Sequence, residues 1–410
     1  MEAYNNFIRY IGSISILLAP ILHPYSFYGV NMGVYFLFTN ALILWSVLFF
    51  RRKYFSSYSD SKVSLPFYLY AFTLPVLVGL LFYGTNGIGA SYRGMLVYAL
   101  TFPIYVKAID FVFLKRAYTI IVFFLSAIFI CQEFLYYSTG IRFSALIPFL
   151  ELNYDMEMED FIANQVIKTR SSSMFLEPAH FAQYLVPCLA LNMGDLIIKK
   201  KLINVSVLFI SLILFFLQSG SGMIMLGILY YLYFKKQKIK TSYLLGLFFI
   251  LIVLVLIVDL NANESIIVAL FERRNELSLN KNDIGSGMIR VFRGYYVYAD
   301  FPLLGKIFGV GNGAVGDVVM NSSASWMFND ETYLNNFQKL IIGYGFIGSI
   351  LFIKYMKSLY AKGAFSGNAI LTCFIAVSFM ENMFFDSKML LYMCIAVSAN
   401  QYYKIHKQLI

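Results

Sequence analysis

The sequence predicts an all-α polytopic membrane protein. Of its 410 residues, 60% are hydrophobic and only 13% are charged, whereas soluble domains contain roughly 25% charged residues. Apolar runs of about 20 residues, the length of a membrane-spanning helix, recur along the whole chain. No stretch separates off as a soluble domain. We therefore expect a single integral membrane domain over residues 1–410.

About twelve membrane-spanning helices fit the apolar runs. The first run is expected to be a retained helix, because no basic region precedes it and no small-residue cleavage site follows it. The eighth run is short and is expected to extend into its flanks. The predicted spans cover approximately residues 7–23, 28–50, 65–83, 94–114, 117–137, 179–198, 202–217, 223–234, 241–259, 338–356, 366–384 and 388–403.

Lysine and arginine residues predict how these helices are oriented. They cluster between apolar runs, and such clusters mark cytoplasmic loops. If both termini are cytoplasmic, alternation places every cluster on the cytoplasmic side. The net charge of +10 then reflects membrane topology and not a nucleic-acid partner. The clusters lie at residues 51–53, 115–116, 199–201, 235–240, 354–362 and 404–407.

The same alternation predicts two long extracytoplasmic loops. Outer loop one covers about residues 138–178, and outer loop two covers about residues 260–337. Long polar loops on one face are uncommon unless they are functional. The seventh and eighth spans are joined on this side by a tight turn at 218–222.

The end of outer loop one combines an arginine, a carboxylate and a histidine. Pro178 suits the first turn of a helix, so Arg170 and Glu177 are expected just before a helix start, whose free amides favour an anion. Partial burial at the membrane boundary would make Glu177 a usable proton acceptor. The alternative is that Glu177 only caps the helix and pairs with an arginine. His180 is the rival base, with hydrogen-bonded packing as its alternative role.

Outer loop two contains a pair of arginines. Read as a helix, residues 287–302 place Arg290 and Arg293 one turn apart on one face. Two guanidinium groups suit a diphosphate, because each donates in a planar fork and keeps its charge. Contact with anionic lipid headgroups is the alternative. The glycine run at 309–313 has no Walker lysine, so a tight turn is expected there and not a phosphate site.

Other charged residues receive structural interpretations. The acidic run at 155–160 is expected to be a solvated surface segment, since its spacing does not fit a calcium loop. Lys107 and Asp110 fall inside the predicted fourth span, where they would pair or Lys107 would extend to the membrane surface. Glu381 and Asp386 are expected at the outer ends of the last two spans. The middle of most spans has no charge, which argues against an ion-coupled pump.

These motifs, in their order, resemble those of Wzy-type bacterial polysaccharide polymerases, which share a superfamily with O-antigen ligases. The first matching pattern is Arg170…Phe175-x-Glu177-Pro178-x-x-Phe181-Ala182, followed by the Ser-Gly-Ser-Gly turn at 219–222. The second comprises Arg290, Pro302…Gly309-x-Gly311 and Asn335…Gly345-x-Ile-Gly348. The ligase branch often has a histidine before this asparagine. Leu334 stands there, which disfavours a ligase.

The resemblance implies a GT-C-like membrane glycosyltransferase in the bacterial cytoplasmic (inner) membrane. Such enzymes polymerise oligosaccharide repeat units carried on undecaprenyl diphosphate, as donor and acceptor, into O-antigen, capsule or exopolysaccharide on the outer face. It implies diphosphate binding by Arg170 and Arg290, with Arg293 beside them, and leaves Glu177 or His180 as the base. The expected transfer is inverting and requires no metal and no cofactor.

The implied partners are the lipid-linked oligosaccharide, membrane lipid and a chain-length regulator protein, with no nucleic acid. Two alternatives stay open. One is an O-antigen ligase, which uses the same donor and a different acceptor. The other is a lipid-linked oligosaccharide flippase, which would not need so long a second outer loop and should carry charges that line a central cavity.

Overall fold

A computed structural model of the chain shows a mostly helical protein. Apolar runs of this length form helices because a helix satisfies its own backbone hydrogen bonds without water. The structure describes residues 2–27, 30–50, 61–84, 88–140, 143, 145–147, 149–152, 171–201, 204–238, 279–280, 283–284, 286–323, 325 and 334–407.

The elements follow the chain in a simple order. The N-terminal part contains α1 (Glu2–Leu22), α2 (Met32–Phe50), α3 (Ser61–Phe72), α4 (Leu74–Tyr83), α5 (Ile88–Ala108) and α6 (Phe111–Thr139). The rest contains α7 (Pro178–Ile198), α8 (Val205–Phe216), α9 (Gly220–Gln237), α10 (Ser286–Ala299), α11 (Leu303–Phe308), a 3-10 turn (Asn312–Ala314), α12 (Val315–Met320), α13 (Asn336–Leu359), α14 (Ser366–Val377) and α15 (Ser387–Lys407). Two antiparallel hairpins pair β1 (Ser26–Phe27) with β2 (Val30–Asn31) and β3 (Leu279–Asn280) with β4 (Asp283–Ile284).

Several of these helices have the length and composition of membrane spans. Within the described residues, four stretches qualify, namely 66–83, α6, α7 and α13. Shorter apolar helices such as α8 and α14 accompany them. These helices support a membrane-embedded protein, as the sequence predicts. The total of about twelve spans stays a prediction, and the predicted span at 241–259 lies outside the described residues.

Helix α7 forms the centre of the bundle. Residues 181–194 of this helix are all buried, and α6, α8, α9, α14 and α15 contact it. Tyrosine hydroxyls join it to distant helices. The Tyr184 hydroxyl donates to the carbonyl of Leu17 on α1 at 3.0 Å, and the Tyr392 hydroxyl of α15 donates to the carbonyl of Gln183 at 2.7 Å. The boundaries of this helix, Pro178–Ile198, agree with the predicted span 179–198.

The junction between α5 and α6 differs from the prediction. The fourth span ends at Ala108 and the next helix begins at residue 111, so Asp110 does not lie inside a span. Its carboxylate accepts a hydrogen bond from the amide of Phe113 at 2.9 Å and thereby caps α6. Arg9 on α1 is a charged partner of this carboxylate, at 3.9 Å. The prediction placed Asp110 inside the fourth span because hydropathy does not detect an aspartate that caps a helix.

The end of the bundle near α14 also differs from the prediction. Helix α14 ends at Val377 and not near residue 384, and residues 378–386 form a loop before α15. Two amides at the start of α13 bind carbonyls of this loop, from Asn336 to Glu381 and from Phe337 to Ser378, both at 3.0 Å. The loop thus supplies partners that the first turn of a helix lacks. Conversely, α9 covers residues 220–237, so the helix at this position is longer than the predicted eighth span 223–234.

The bundle has two opposite ends, which differ in the residues that they contain. At one end, Lys115 at the start of α6 forms an ion pair with Asp195 at the end of α7, and Lys236 of α9 donates to the carbonyl of Gly363 at 3.3 Å. We call this the lysine-rich end. The opposite end, where α7 and α13 begin, is called the far end. This sorting agrees with the predicted alternation, while the side of the membrane that each end faces stays a prediction.

Helix α13 is broken at Gly345, whose φ of 64° and ψ of −168° are not helical. The break lies nine residues after Asn336, or about 14 Å along the helix axis. It frees the carbonyls of Ile342 and Gly343, which accept hydrogen bonds from the amides of Val310 and Gly311 at 3.2 and 2.7 Å. Non-helical backbone within an apolar bundle is tolerated where protein groups satisfy it in this way.

The glycine run at 309–313 allows the two backbones to approach closely at this contact. Gly309 adopts a φ of 78°, and a Cβ there would collide with the carbonyl of Gly343. The Tyr70 hydroxyl closes the junction by donating to the carbonyls of Phe308 and Tyr344, at 2.8 and 3.1 Å. Because two amides of the run bind protein carbonyls, the run has a structural role, as the sequence indicated.

We expect Gly345→Ala to lower the free energy of unfolding by at least about 2 kcal/mol. The positive φ alone costs an L-residue roughly 1–2 kcal/mol. The new Cβ would also lie 2.5 Å from the Gly309 amide nitrogen and the Ile307 carbonyl oxygen. Denaturant unfolding of the detergent-solubilised protein measures the effect. The control is Gly227→Ala in α9, where no atom lies within 4 Å of the added Cβ and a gain of about 0.5–1 kcal/mol is expected. Equal stability of the two variants would contradict the packing of the glycine run 309–313 against the break in α13.

Candidate functional site

The far end brings together charged and polar residues from both halves of the chain. Helix α10 packs on the first turn of α13, so closely that a Cβ at Gly294 would lie 2.6 Å from the side chain of Gln338. The amide of Asn336 binds the carbonyl of Glu381 in the loop 378–386. These contacts join α10, α13 and the loop into one surface at the end where α7 also begins.

The segment before α7 is anchored to α6 by polar side chains. The amide of Ser173 donates to Gln132 Oε1 at 2.8 Å, and the amide of Ser171 donates to Glu133 Oε1 at 3.3 Å. Ser173 has a φ of 57°, a conformation that an L-residue keeps only when its surroundings hold it. The sequence did not single out Gln132 or Glu133. Arg170, which directly precedes this segment, lies outside the described residues.

Helix α7 begins at Pro178, as predicted, with Glu177 as the residue before it. Glu177 is exposed, so the partial burial expected for it is not found. Its side chain makes no capping hydrogen bond, so the capping role proposed as its alternative is not found either. His180 is half-buried in the first turn. The carboxylate of Glu177 is therefore accessible at the far end.

The start of α7 offers little backbone to an anion, contrary to the expectation from the sequence. Pro178 has no amide hydrogen, and the amides of His180 and Phe181 donate to the Glu177 carbonyl at 3.1 and 3.3 Å. At most the amide of Ala179 is left. An anion at this position would therefore depend on cationic side chains and not on the helix terminus.

The Ser-Gly-Ser-Gly segment 219–222 packs against the same part of α7. Its last three residues belong to the first turn of α9, so the connection between α8 and α9 is shorter than the tight turn predicted at 218–222. Ser219 caps α9 by accepting from the amide of Gly222 at 3.4 Å. A Cβ at Gly222 would lie 2.7 Å from the Cβ of Ala182. Small residues let helices approach this closely. Two motifs that are far apart in the sequence thus form one helix contact near Glu177.

Arg293 is the described member of the predicted arginine set. The stretch is helical, as predicted, with Arg290 three residues earlier on α10; the side chain of Arg290 lies outside the described part of the structure. Only 4% of Arg293 is exposed, and Val297, one turn later, is also buried. This face of α10 therefore packs on protein, and Arg293 is not a surface arginine in contact with lipid headgroups.

The structure places Glu177, His180 and Arg293 at the same end of the bundle but on different helices. Glu177 and His180 belong to the start of α7, and Arg293 belongs to α10 beside the start of α13. Their roles, and those of Arg170 and Arg290, stay predictions.

Two asparagines fix the start of α13. Asn335 forms a capping box with Gln338, and its side-chain amide donates to the carbonyl of Phe379 at 2.7 Å. The side-chain amide of Asn336 donates to the hydroxyl of Ser378 at 3.0 Å. The asparagine in the family-like motif thus has a structural task here, which is to join α13 to the loop 378–386.

A charged cluster at the far end was missed in the sequence. His23, just after α1, lies 3.0 Å from Asp386 between Nδ1 and Oδ1, and Lys388 Nζ lies 3.9 Å from Asp386 Oδ2. Lys339 on α13 interacts electrostatically with the same carboxylate. Asn31 holds the backbone of His23 through a hydrogen bond to its carbonyl at 2.7 Å. The signal in the sequence was weak: one of three histidines and two lysines within apolar runs.

Asp386 is ionised at neutral pH. Burial would raise the pKa of this carboxyl, but the charge and hydrogen bond of His23, the charge of Lys388 and the hydrogen bond of Ser387 together hold the pKa well below its usual range. A carboxyl whose pKa is lowered on folding stabilises the fold above its ordinary pKa of about 3.9. That stabilisation is lost only as the pH falls below this value.

Within the described residues, no group of three or more His, Cys, Asp or Glu side chains is arranged to hold a metal ion. The acidic run at 155–160, which the sequence marked as a charged surface segment, lies outside those residues.

Comparison with known proteins does not assign the chain to a family. No protein-family model matches the chain, and no curated protein sequence matches it. The site is therefore defined by its residues, and the likeness to polysaccharide polymerases stays an expectation from the motifs.

We expect Asp386→Asn to lower the free energy of unfolding by roughly 3 kcal/mol, because it leaves Lys388 and His23 without their carboxylate. The loss should be present at every pH between 5 and 8, since the pKa of Asp386 lies below this range. Denaturant unfolding in detergent at several pH values measures it. Asp195→Asn is the control, because it breaks a pair whose aspartate is 35% exposed and should cost about 1 kcal/mol or less. An equal cost for both variants would show that Asp386 does not hold the far end.

Proposed function

We propose that this protein is a membrane glycosyltransferase that polymerises oligosaccharide repeat units carried on undecaprenyl diphosphate. The proposal combines the motif resemblance with one structural observation. An exposed carboxylate, Glu177, and a buried guanidinium, Arg293, lie at the same end of the bundle, opposite the lysine-rich end. A reaction between lipid-linked sugars needs such a pair: an accessible proton acceptor and a fixed cation for the leaving diphosphate.

The proposed transfer is inverting. A hydroxyl oxygen of the acceptor sugar attacks the anomeric carbon of the donor chain, and the bond from that carbon to the diphosphate oxygen breaks. The departing lipid diphosphate takes the electron pair, and Glu177 or His180 takes the hydroxyl proton. Glu177 is the more accessible of the two, because it is exposed whereas His180 is half-buried.

Arginine side chains stabilise the leaving group in this mechanism. Arg170, Arg290 and Arg293 would offset the charge that develops on the diphosphate, which makes a metal unnecessary. The backbone at the start of α7 contributes little, since most of its amides are absent or used internally.

The proposal includes a location and partners. The protein would lie in the bacterial cytoplasmic membrane with both termini and the lysine-rich end in the cytoplasm. The far end would then face outward, where it meets the lipid-linked oligosaccharide as donor and acceptor. Membrane lipid and a chain-length regulator protein complete the proposed partners.

A flippase is the second candidate, because α13 is broken inside the bundle. Transporters bind substrates at such breaks, where half-helix ends and unwound carbonyls face a cavity. Here the freed carbonyls of Ile342 and Gly343 accept hydrogen bonds from Val310 and Gly311. The break is filled by protein, which favours the transferase. A ligase, the third candidate, is disfavoured by Leu334.

We expect Glu177→Gln, Arg170→Ala and Arg290→Ala each to lower polymerisation by roughly 100-fold or more, as removal of a single transition-state contact does. Each variant replaces the wild-type protein in a deletion strain, with expression confirmed, and the surface glycan is separated by electrophoresis. The expected glycan is a single repeat unit on the final acceptor. Glu177→Gln is the cleanest variant because the residue is exposed, and Lys354→Gln, exposed near the end of α13, is the control.

The glycan pattern separates the candidate functions. Loss of all attached glycan, with polymer left on the carrier, would indicate a ligase. Repeat units left on the inner membrane face would indicate a flippase. Long chains in all three variants would show that the assigned residues are not the site.

A further inference from the structure

The cluster around Asp386 has more positive than negative charge. His23 and Lys388 lie 3.0 and 3.9 Å from the carboxylate of Asp386, and Lys339, in the first turn of α13, interacts with it through its charge. Glu381, also buried, is the other carboxylate of the loop 378–386. Around Asp386, two lysines (Lys339 and Lys388) and the imidazole of His23 therefore share one carboxylate.

Such an excess is unusual because the site is largely shielded from water. The side chain of Lys388 is only 7% exposed, and that of Asp386 is 14% exposed. An uncompensated ammonium in these surroundings is costly. A bound anion would remove that cost, and the lysines, as compact charges with several donors, are typical phosphate ligands.

The backbone amides at the start of α13 are not available to bind an anion. The amides of Asn336 and Phe337 donate to the loop 378–386, and those of Gln338 and Lys339 donate to Asn335. All four amides of the first turn are thus used within the protein. A ligand here would be held by Lys339 and Lys388, with His23 at the more exposed edge, where 23% of its side chain is accessible.

We infer that Lys339, Lys388 and His23 form a binding site for a phosphate or diphosphate group, with Asp386 as the residue that positions them. The site uses none of the residues assigned to the glycosyl transfer. It stands on charge and geometry alone and does not require that the proposed reaction be correct. The same chemistry would recognise the headgroup of a lipid, such as a prenyl diphosphate or an anionic phospholipid, or a free phosphate from solution.

A binding experiment with the full chain tests this site. The protein is placed in nanodiscs of zwitterionic phosphatidylcholine, and dissociation constants are measured for inorganic pyrophosphate, for farnesyl diphosphate and for added phosphatidylglycerol. At least one probe should bind, and Lys339→Gln should weaken that binding about tenfold or more, which corresponds to one charge-assisted contact. Lys357→Gln, an exposed lysine on the same helix at the lysine-rich end, should bind as the wild type does.

The probes also identify the source of the phosphate. Tighter binding of farnesyl diphosphate than of pyrophosphate supports a prenyl-linked ligand, binding of phosphatidylglycerol supports a bilayer lipid, and equal binding of both diphosphates supports a free phosphate. Lys388→Gln should repeat the loss, and Lys339→Gln, at a half-buried position, carries the test if the Lys388 variant does not fold. No binding of any probe, or equal binding by wild type and Lys339→Gln, would overturn the site.

Discussion

Hydrogen bonds across the break in α13 hold the far end in place. A carbonyl without a partner costs several kcal/mol in apolar surroundings, so a break at Gly345 is tolerated only because Val310 and Gly311 donate to the freed carbonyls. The same contact docks the segment 309–311 on α13 and fixes the first half of that helix. Asn335, Asn336 and Lys339 belong to this half, so the positions of the loop 378–386 and of the charged cluster depend on the break being satisfied.

Charge at the far end is divided between fixed and accessible groups. Arg293 and Lys388 are buried, whereas Glu177 is exposed. In the proposed reaction, fixed cations hold anionic groups without reorganisation, and the accessible carboxylate meets a mobile hydroxyl. The lysine cluster around Asp386 extends this arrangement to a second anionic group. Both features lie at the end opposite the lysine-rich end. If the lysine-rich end is cytoplasmic, as proposed, both features face outward.

Sequence reasoning succeeded where local chemistry decides the structure and failed where distant partners decide it. Apolar length and Pro178 predicted the start of α7 to within one residue, and the stretch 287–302, which was read as a helix, corresponds to α10 (Ser286–Ala299). The end of α14 was misplaced because residues 378–384 are apolar enough to continue a helix, while the first turn of α13 uses their carbonyls instead. The pair of His23 and Asp386 joins the two ends of the chain, and no periodicity in a single sequence indicates such a contact.

Reconstitution of the purified protein would test the proposed function most directly. Proteoliposomes that contain only this protein and undecaprenyl-diphosphate-linked repeat units, extracted from a strain that lacks it, are incubated without metal or nucleotide, and the products are separated by electrophoresis. Sugar transfer predicts a ladder spaced by one repeat unit, with release of free undecaprenyl diphosphate in proportion to the bonds formed. Repeat units that cross the bilayer without any lengthening would contradict the transferase and support a transporter.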